Sequence, residues 1–245
     1  MNKYLSILNF RTTLALGVSV VVSYFVLTYN FHYNYDLALI SIAIVFPLVF
    51  TIRSAFRRRE KALEYLSRFK AGLTTVRDSF LDNKKLDETT KHELIAIIST
   101  ISTTLIGYLG KTNTREQLDK EVDKIFQFIQ LNKEAVGGGT AIKIFRFMKD
   151  VHYSVENITA INHHRTPIAL RAYCLIFIYV YPLIYTPALY HRLYDGATLN
   201  ESWIVYALSA ISTFILISLY NVQDQMENPF DQHGLDDIRL HDFKL

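Results

Sequence analysis

The feature that most constrains the fold is an abrupt change from an uncharged apolar stretch to a dense run of cations. Residues 37–52, LALISIAIVFPLVFTI, carry no formal charge, and Arg53, Arg57, Arg58, Arg59 and Lys61 follow at once. A membrane-spanning helix needs about 20 mostly apolar residues, and cations cluster at its cytoplasmic end. Extended at its start by residues 32–36, this stretch is predicted to cross a membrane and to end at the cytoplasmic surface.

Three more apolar segments predict further spans. They are Thr12–Tyr35, Ala172–Tyr190 and Ser202–Gln223. Pro182 and Pro187 lie inside the third span, where neighbouring helices can satisfy the freed backbone groups. The predicted order is therefore two membrane helices in residues 1–53, a water-facing domain in 54–170, two membrane helices in 171–223 and a tail in 224–245.

The distribution of cations predicts the orientation. The loop 191–201 between the third and fourth spans carries only Arg192 of the 26 Lys and Arg residues. Because cytoplasmic segments are enriched in Lys and Arg, both termini are predicted to be cytoplasmic. The chain is thus expected to be a multi-pass protein of the plasma membrane, in bacteria the inner membrane.

The central domain is predicted to be helical. Leu63, Leu66, Phe69 and Leu73 follow the three-to-four spacing of an amphipathic helix. Glu116–Leu131 and Ile142–Ile161 predict further helices, and residues 137–139, three glycines, predict a loop between them. The expected fold class is an all-α integral membrane protein with four transmembrane helices and a cytoplasmic helical domain.

One segment allows two interpretations. Leu94–Gly110 contains no charge and could be a fifth span, but it is rich in Ser and Thr and has only 17 residues. A fifth span would also place the C-terminal tail on the opposite side from the arginines. We therefore expect a buried helix at the centre of the cytoplasmic domain.

No catalytic signature is present, so the sequence does not predict an enzyme or a resident cofactor. Serine-nucleophile, dinucleotide and P-loop motifs are absent. His163 and His164 are adjacent, but no Cys or carboxylate stands at metal-ligand spacing beside them. Cys174 lies in an apolar run and is expected to be a buried thiol. The net charge of +3 gives no reason to expect a nucleic-acid partner.

The second span carries a narrow apolar stripe. Ile42, Phe46 and Phe50 recur every fourth residue and drift by only about 80° around the helix axis. On periodicity alone, such a stripe faces lipid or packs against a neighbouring helix. A channel with a hydrophobic constriction would use the same pattern, because rings of apolar side chains can close a pore by excluding water.

Four short motifs resemble the bestrophin channels. Residues 42–50, IAIVFPLVF, and residues 53–60, RSAFRRRE, resemble the second transmembrane segment of that family. Residues 166–168, TPI, and residues 225–230, QMENPF, followed by Asp236, Asp237 and Ile238, resemble the family's T-P-I and N-P-F segments with their trailing acidic residues. The order of the motifs along the chain is also that of the family.

The resemblance implies a ring of five subunits that passes small inorganic ions, with Ile42, Phe46 and Phe50 lining the pore neck. The family includes chloride channels and bacterial members that pass cations, so the ion stays open. The family's lower constriction would fall near Thr140 and Ile142. Arg57 follows Phe50 by seven residues, about 10 Å along nearly the same helix face, and would either attract anions at the inner mouth or simply anchor the helix.

Calcium-gated bestrophins hold calcium in a clasp of backbone carbonyls and acidic side chains. By resemblance, Gln225, Asn228 and Asp236 or Asp237 stand at the later clasp positions. The earlier part of the clasp has no counterpart before Asn9, Phe10 and Arg11. Calcium binding is therefore expected to be absent or weak.

Two functions remain in competition at this point. The first is a homo-oligomeric ion channel gated at Ile42, Phe46 and Phe50, lying in the lipid bilayer. The second is a non-conducting membrane scaffold whose cytoplasmic helices bind a protein partner. A membrane enzyme is a distant third.

Overall fold

The computed structural model describes residues 8–194, 202–234 and 236–245, so the predicted loop 191–201 lies outside the described residues from position 195 onward. All the regular elements described are helices. They are α1 (Phe10–Thr28), α2 (Leu37–Leu81), α3 (Glu88–Leu109), α4 (Arg115–Leu131), α5 (Lys133–Val136), α6 (Gly138–His163), α7 (Ile168–Tyr194), α8 (Trp203–Met226) and a final 3-10 turn (Leu240–Phe243).

Local sequence explains where several helices begin. Asn9 caps α1 and Thr114 caps α4, each in a reciprocal arrangement with the residue three positions on. The predicted glycine loop is wrong for two of its three residues. Only Gly137, with φ of 70°, separates α5 from α6, whereas Gly138 and Gly139 already belong to α6. A single residue in the left-handed region suffices to separate two helices.

The chain forms two compact units. The first consists of residues 1–57 and 166–227 and contains α1, the start of α2, α7 and α8. The second consists of residues 58–165 and 228–245 and contains the rest of α2, α3 to α6 and the C-terminal segment.

The first unit combines a small apolar interior with buried hydroxyl groups. Ile44 and Leu48 of α2 pack with Cys174 and Ile178 of α7. The Ser209 hydroxyl of α8 lies 2.9 Å from the Ser19 hydroxyl of α1 and 2.7 Å from the Thr186 hydroxyl of α7, and all three residues are fully buried. Small polar residues of this kind let helices approach closely and join them inside a membrane.

The second unit has a large apolar core typical of water-soluble helical domains. The core joins all its long helices through buried Leu, Ile, Val and Phe side chains, among them Leu66, Phe69, Ile101, Leu118 and Ile144. The C-terminal segment covers part of this core, and its Phe230 is fully buried.

Five helical segments among the described residues are long and apolar enough to cross a membrane: Phe10–Thr28, Leu37–Leu81, Glu88–Leu109, Gly138–Leu193, which comprises α6 and most of α7, and Trp203–Met226. This is the composition of a multi-pass membrane protein. In α3, 44% of the most apolar stretch is buried within the chain, against 22–33% in the other four. The predicted number of four spans stays a prediction.

Candidate pore-lining site

The stripe on α2 projects away from the rest of the first unit. Ile42, Phe46 and Phe50 are 65%, 61% and 50% exposed. On the opposite face of the same helix, Ile44 and Leu48 are each 1% exposed. The packing of α2 against its own unit therefore uses the other side and leaves the three stripe residues free to meet something outside the chain.

The two phenylalanines of the stripe hold each other in place. Their ring centroids are 4.7 Å apart and their planes meet at 86°, an edge-to-face contact. Such contacts contribute about 0.5–1.5 kcal/mol beyond the area they bury. The contact fixes each ring relative to the other, which the sequence could not show.

Arg57 differs from the cations that follow it. Arg58 donates hydrogen bonds to the backbone carbonyls of Ile161, at 2.6 Å, and His164, and Arg59 donates to the carbonyl of Asp236 at 2.5 Å. Arg57 is exposed, and no residue in the described part of the chain bonds to it. Its charge is therefore available, whereas Arg58 and Arg59 are engaged within the second unit.

A buried carboxylate joins two of the short motifs. Glu227, 1% exposed, accepts hydrogen bonds from the backbone N–H and hydroxyl of Thr166, at 2.6 and 3.0 Å. Gln223 donates to it as well, at 3.3 Å. The carboxylate thus lies just before the first turn of α7, where negative charge is stabilised by the helix dipole. Sequence reasoning did not single out Glu227, although it lies inside the quoted QMENPF motif.

Two acidic residues of the C-terminal segment, Asp231 and Asp237, accept hydrogen bonds from protein groups. Asn228 donates to Asp231 at 2.9 Å, and the backbone N–H of Gly234 donates to Asp237 at 2.9 Å. Burial, followed by a hydrogen bond to Asp231, raises the pKa of Asp237 to about 6. Asp231 was also missed by sequence reasoning, and its only signal was its place between Asn228 and Asp237. Gln225 lies in α8, in the first unit.

The fold matches solved structures at low sequence identity. A bestrophin homologue from Klebsiella pneumoniae carrying a Trp-to-Ala substitution aligns with a TM-score of 0.80 and 13% identity, over 95% of this chain and 92% of that chain. The same homologue solved by zinc phasing gives 0.78 and 14%, over 96% and 93%. A Leu-to-Thr variant gives 0.77 and 15%, over 96% and 93%.

The chain has the bestrophin fold. This confirms the resemblance inferred from the short motifs. No protein-family profile matches the sequence, and no curated protein matches it either. Identities of 13–15% are those of a divergent member of this fold.

Asn228 and Asp237, two positions that the resemblance assigns to a calcium clasp, bond to protein groups in this structure. Calcium takes six to eight oxygen ligands, mostly ionised carboxylates and carbonyls. The amide of Asn228 turns its nitrogen toward Asp231. The expected weakness of calcium binding stays a prediction.

The other predicted positions lie in the second unit. Thr140 and Ile142 are in the first turns of α6, with Ile142 exposed and Thr140 partly buried. Beside them is a groove of about 580 Å³ lined by residues such as Val136, Gly137 and Phe145.

The ring of His163 lies 2.9 Å from the hydroxyl of Tyr108. Among the described residues, no three His, Cys, Asp or Glu side chains converge as metal ligands.

Proposed function

We propose that this chain assembles into a ring around an ion-conducting pore and that Ile42, Phe46 and Phe50 form its hydrophobic neck. The observation that carries the proposal is the position of these side chains: they project from the exposed face of α2, while the opposite face is buried, on a bestrophin fold. A heterologous interface between identical copies closes such a ring. Five subunits is the number that the bestrophin resemblance implies.

The neck would control conduction by wetting. A narrow ring of Ile and Phe side chains excludes water, and a modest widening lets water and ions enter. Phe46 and Phe50 of each subunit are in edge-to-face contact. The contact is expected to couple the movements of the two lower levels of the neck. Thr140 and Ile142 of α6 are proposed as a second constriction, by resemblance.

We place four helices in the plasma membrane, namely α1, the start of α2, α7 and α8, with both termini in the cytoplasm. The Lys and Arg distribution along the chain supports this orientation. The position of α3 within the apolar core of the second unit supports leaving it out of the membrane.

The test is ion flux from liposomes that contain the purified protein and a potassium chloride gradient. Replacing Ile42, Phe46 and Phe50 together by Ala is expected to raise flux severalfold, because smaller side chains no longer exclude water from the neck. The matched control replaces Leu14, Val21 and Phe25, exposed apolar residues of α1, by Ala and is expected to leave flux unchanged. Equal flux from the wild type and both variants would contradict the proposed neck.

Arg57 is proposed to attract anions to the inner mouth of the pore, since its charge has no partner in the described part of the chain and the field of a ring of cations raises the local anion concentration. Replacing Arg57 by Glu is expected to shift the reversal potential toward cation preference. Arg58→Glu is a poor control because Arg58 bonds to Ile161 and His164, and Arg53 lies on the same face of α2 as the stripe. The control is therefore Lys120→Glu, at an exposed cation of α4, which is expected to leave the ratio unchanged. An unchanged anion-to-cation ratio in the Arg57 variant removes it from selectivity.

A non-conducting scaffold is the alternative function. The second unit exposes Leu131, Ile142 and Phe145 near one groove, and exposed apolar patches are typical of protein-binding surfaces. The flux experiment separates the two, because a scaffold passes no ions with or without the neck substitutions.

A further inference from the structure

The pore-lining part of α2 contains a proline. Pro47 directly follows Phe46 and lies inside the helix. Proline has no N–H, so the carbonyl four residues earlier, that of Ala43, receives no hydrogen bond from within the helix. Ala43 directly follows Ile42. One helical hydrogen bond is therefore missing at the level of the two upper neck residues.

A side chain from another helix supplies the missing donor. The hydroxyl of Tyr173, in α7, donates to the carbonyl of Ala43 at 3.4 Å. The Tyr173 ring contacts that of Phe177, one turn further along α7, with centroids 4.3 Å apart. The next residue, Cys174, is buried with Ile44 and Leu48 of α2. Tyr173 therefore reaches Ala43 from a helix that is packed firmly against the hidden face of α2.

We propose that Tyr173 is a positioning residue for the pore neck: by bonding the carbonyl that Pro47 leaves free, it fixes the bend of α2 and the direction in which Ile42 and Phe46 project. A helix is most easily bent where proline interrupts its hydrogen bonds. A helix interrupted in this way can adopt several bend angles. A hydrogen-bond donor on a packed neighbouring helix favours one of them. The inference rests on the proposed channel function, and Tyr173 itself need not touch the ions.

The hydrogen bond between Tyr173 and Ala43 would also stabilise α2 inside a membrane. An unsatisfied carbonyl in lipid costs several kcal/mol, and proline is tolerated in membrane helices when a neighbour satisfies the freed group. The hydroxyl of Tyr173 is therefore needed only because Pro47 leaves the carbonyl of Ala43 without a donor. Restoring the backbone N–H at position 47 should make the tyrosine hydroxyl dispensable.

This dependence gives a double-mutant experiment on the full-length protein in liposomes. Tyr173→Phe keeps the ring and removes the donor, and it is expected to change potassium chloride flux two- to tenfold, about the effect of one hydrogen bond. In the Pro47→Ala background, where Ala43 can bond within the helix, the same Tyr173→Phe substitution is expected to leave flux unchanged. Tyr179→Phe, six residues along the same helix, is the control for the loss of a tyrosine hydroxyl.

A second readout separates positioning from loss of folded protein. The flux of tetramethylammonium chloride and of potassium gluconate, relative to potassium chloride, reports neck width and does not depend on the amount of folded channel. Tyr173→Phe is expected to change at least one of these ratios in the wild-type background only. Thermal unfolding of each variant in detergent shows that the protein is folded.

Three results would overturn the inference. The first is an equal effect of Tyr173→Phe in both backgrounds, the second is no effect in the wild type, and the third is a flux change with constant ratios. Wild-type liposomes with no flux above empty liposomes would instead overturn the proposed function, and this inference with it. If the neck substitutions raise flux but Tyr173→Phe does not change it, the inference about Tyr173 is wrong and the proposed channel function stands.

Discussion

α1 and α3 have similar lengths and uncharged central stretches, yet they differ in the size of the apolar side chains that they bury. The buried face of α1 combines two valines with Ala and hydroxyl-bearing residues, and it contains no Leu, Ile or Phe. Its exposed face carries larger apolar residues, among them Leu14, Tyr24 and Phe25. α3 buries mainly large apolar residues, with Ser102 and Thr104 beside them; the large ones include Leu94, Ile98, Ile101 and Leu105. Thr100 and Thr103 are exposed.

The side chains that a helix buries depend on whether water or lipid surrounds it. In water, burial of apolar surface drives packing, so large apolar side chains go inside. In a bilayer the lipid tails are as apolar as leucine, so small residues and hydroxyl groups make the contacts between helices. The difference supports the proposal that α1 lies in lipid and α3 in water. Mean hydropathy alone does not separate them, because it ignores which side chains face outward.

The largest expected effect that tests this comparison is at Ile101, in the core of the second unit. Ile101→Ala is expected to destabilise the protein by about 2–5 kcal/mol, because it leaves a cavity among packed side chains. Val21→Ala in α1, at an exposed position, is expected to change stability by less than about 0.5 kcal/mol. Thermal unfolding in detergent measures both. Similar small effects at the two sites would mean that α3 is not a core helix.

A smaller but sharper effect comes from placing a charge on the exposed face of each helix. Val21→Lys in α1 is expected to cost about 2.5–3.5 kcal/mol, the cost of a cation at the centre of a membrane helix. Thr103→Lys in α3 is expected to change stability by less than about 0.5 kcal/mol, as for an exposed residue in water. Membrane insertion and unfolding in bilayers measure the two. If Thr103→Lys costs as much as Val21→Lys, the proposal of four spans is wrong.

Much of the fold could be predicted from local pattern. Leu66, Phe69 and Leu73 have the spacing of a buried helical stripe, and all three are fully buried. The motifs around Ile42 and Asn228 pointed to the bestrophin fold, which the solved structures confirm. The glycine loop was predicted too long, because three consecutive glycines give no sign of which one adopts the left-handed conformation.

The contacts that position the candidate site could not be predicted. Tyr173 and Ala43 are separated by 130 positions, and Thr166 and Glu227 by 61, so no periodicity connects them. The stripe at Ile42, Phe46 and Phe50 was visible, but spacing alone does not tell which face of α2 its own chain covers. The neck, the number of subunits and the permeant ion stay predictions, since each depends on copies of the chain and on ions.

The hydroxyl trio of the first unit has a consequence for how the protein is made. Ser19 lies in α1, which is synthesised before α7, the helix of Thr186, and before α8, the helix of Ser209. Ser209 is the residue that bonds to both of the others. Until α8 is made, Ser19 and Thr186 lack this shared partner, so the first unit cannot reach its final packing during synthesis of the earlier helices. Assembly of this unit is therefore completed only after α8 has been synthesised.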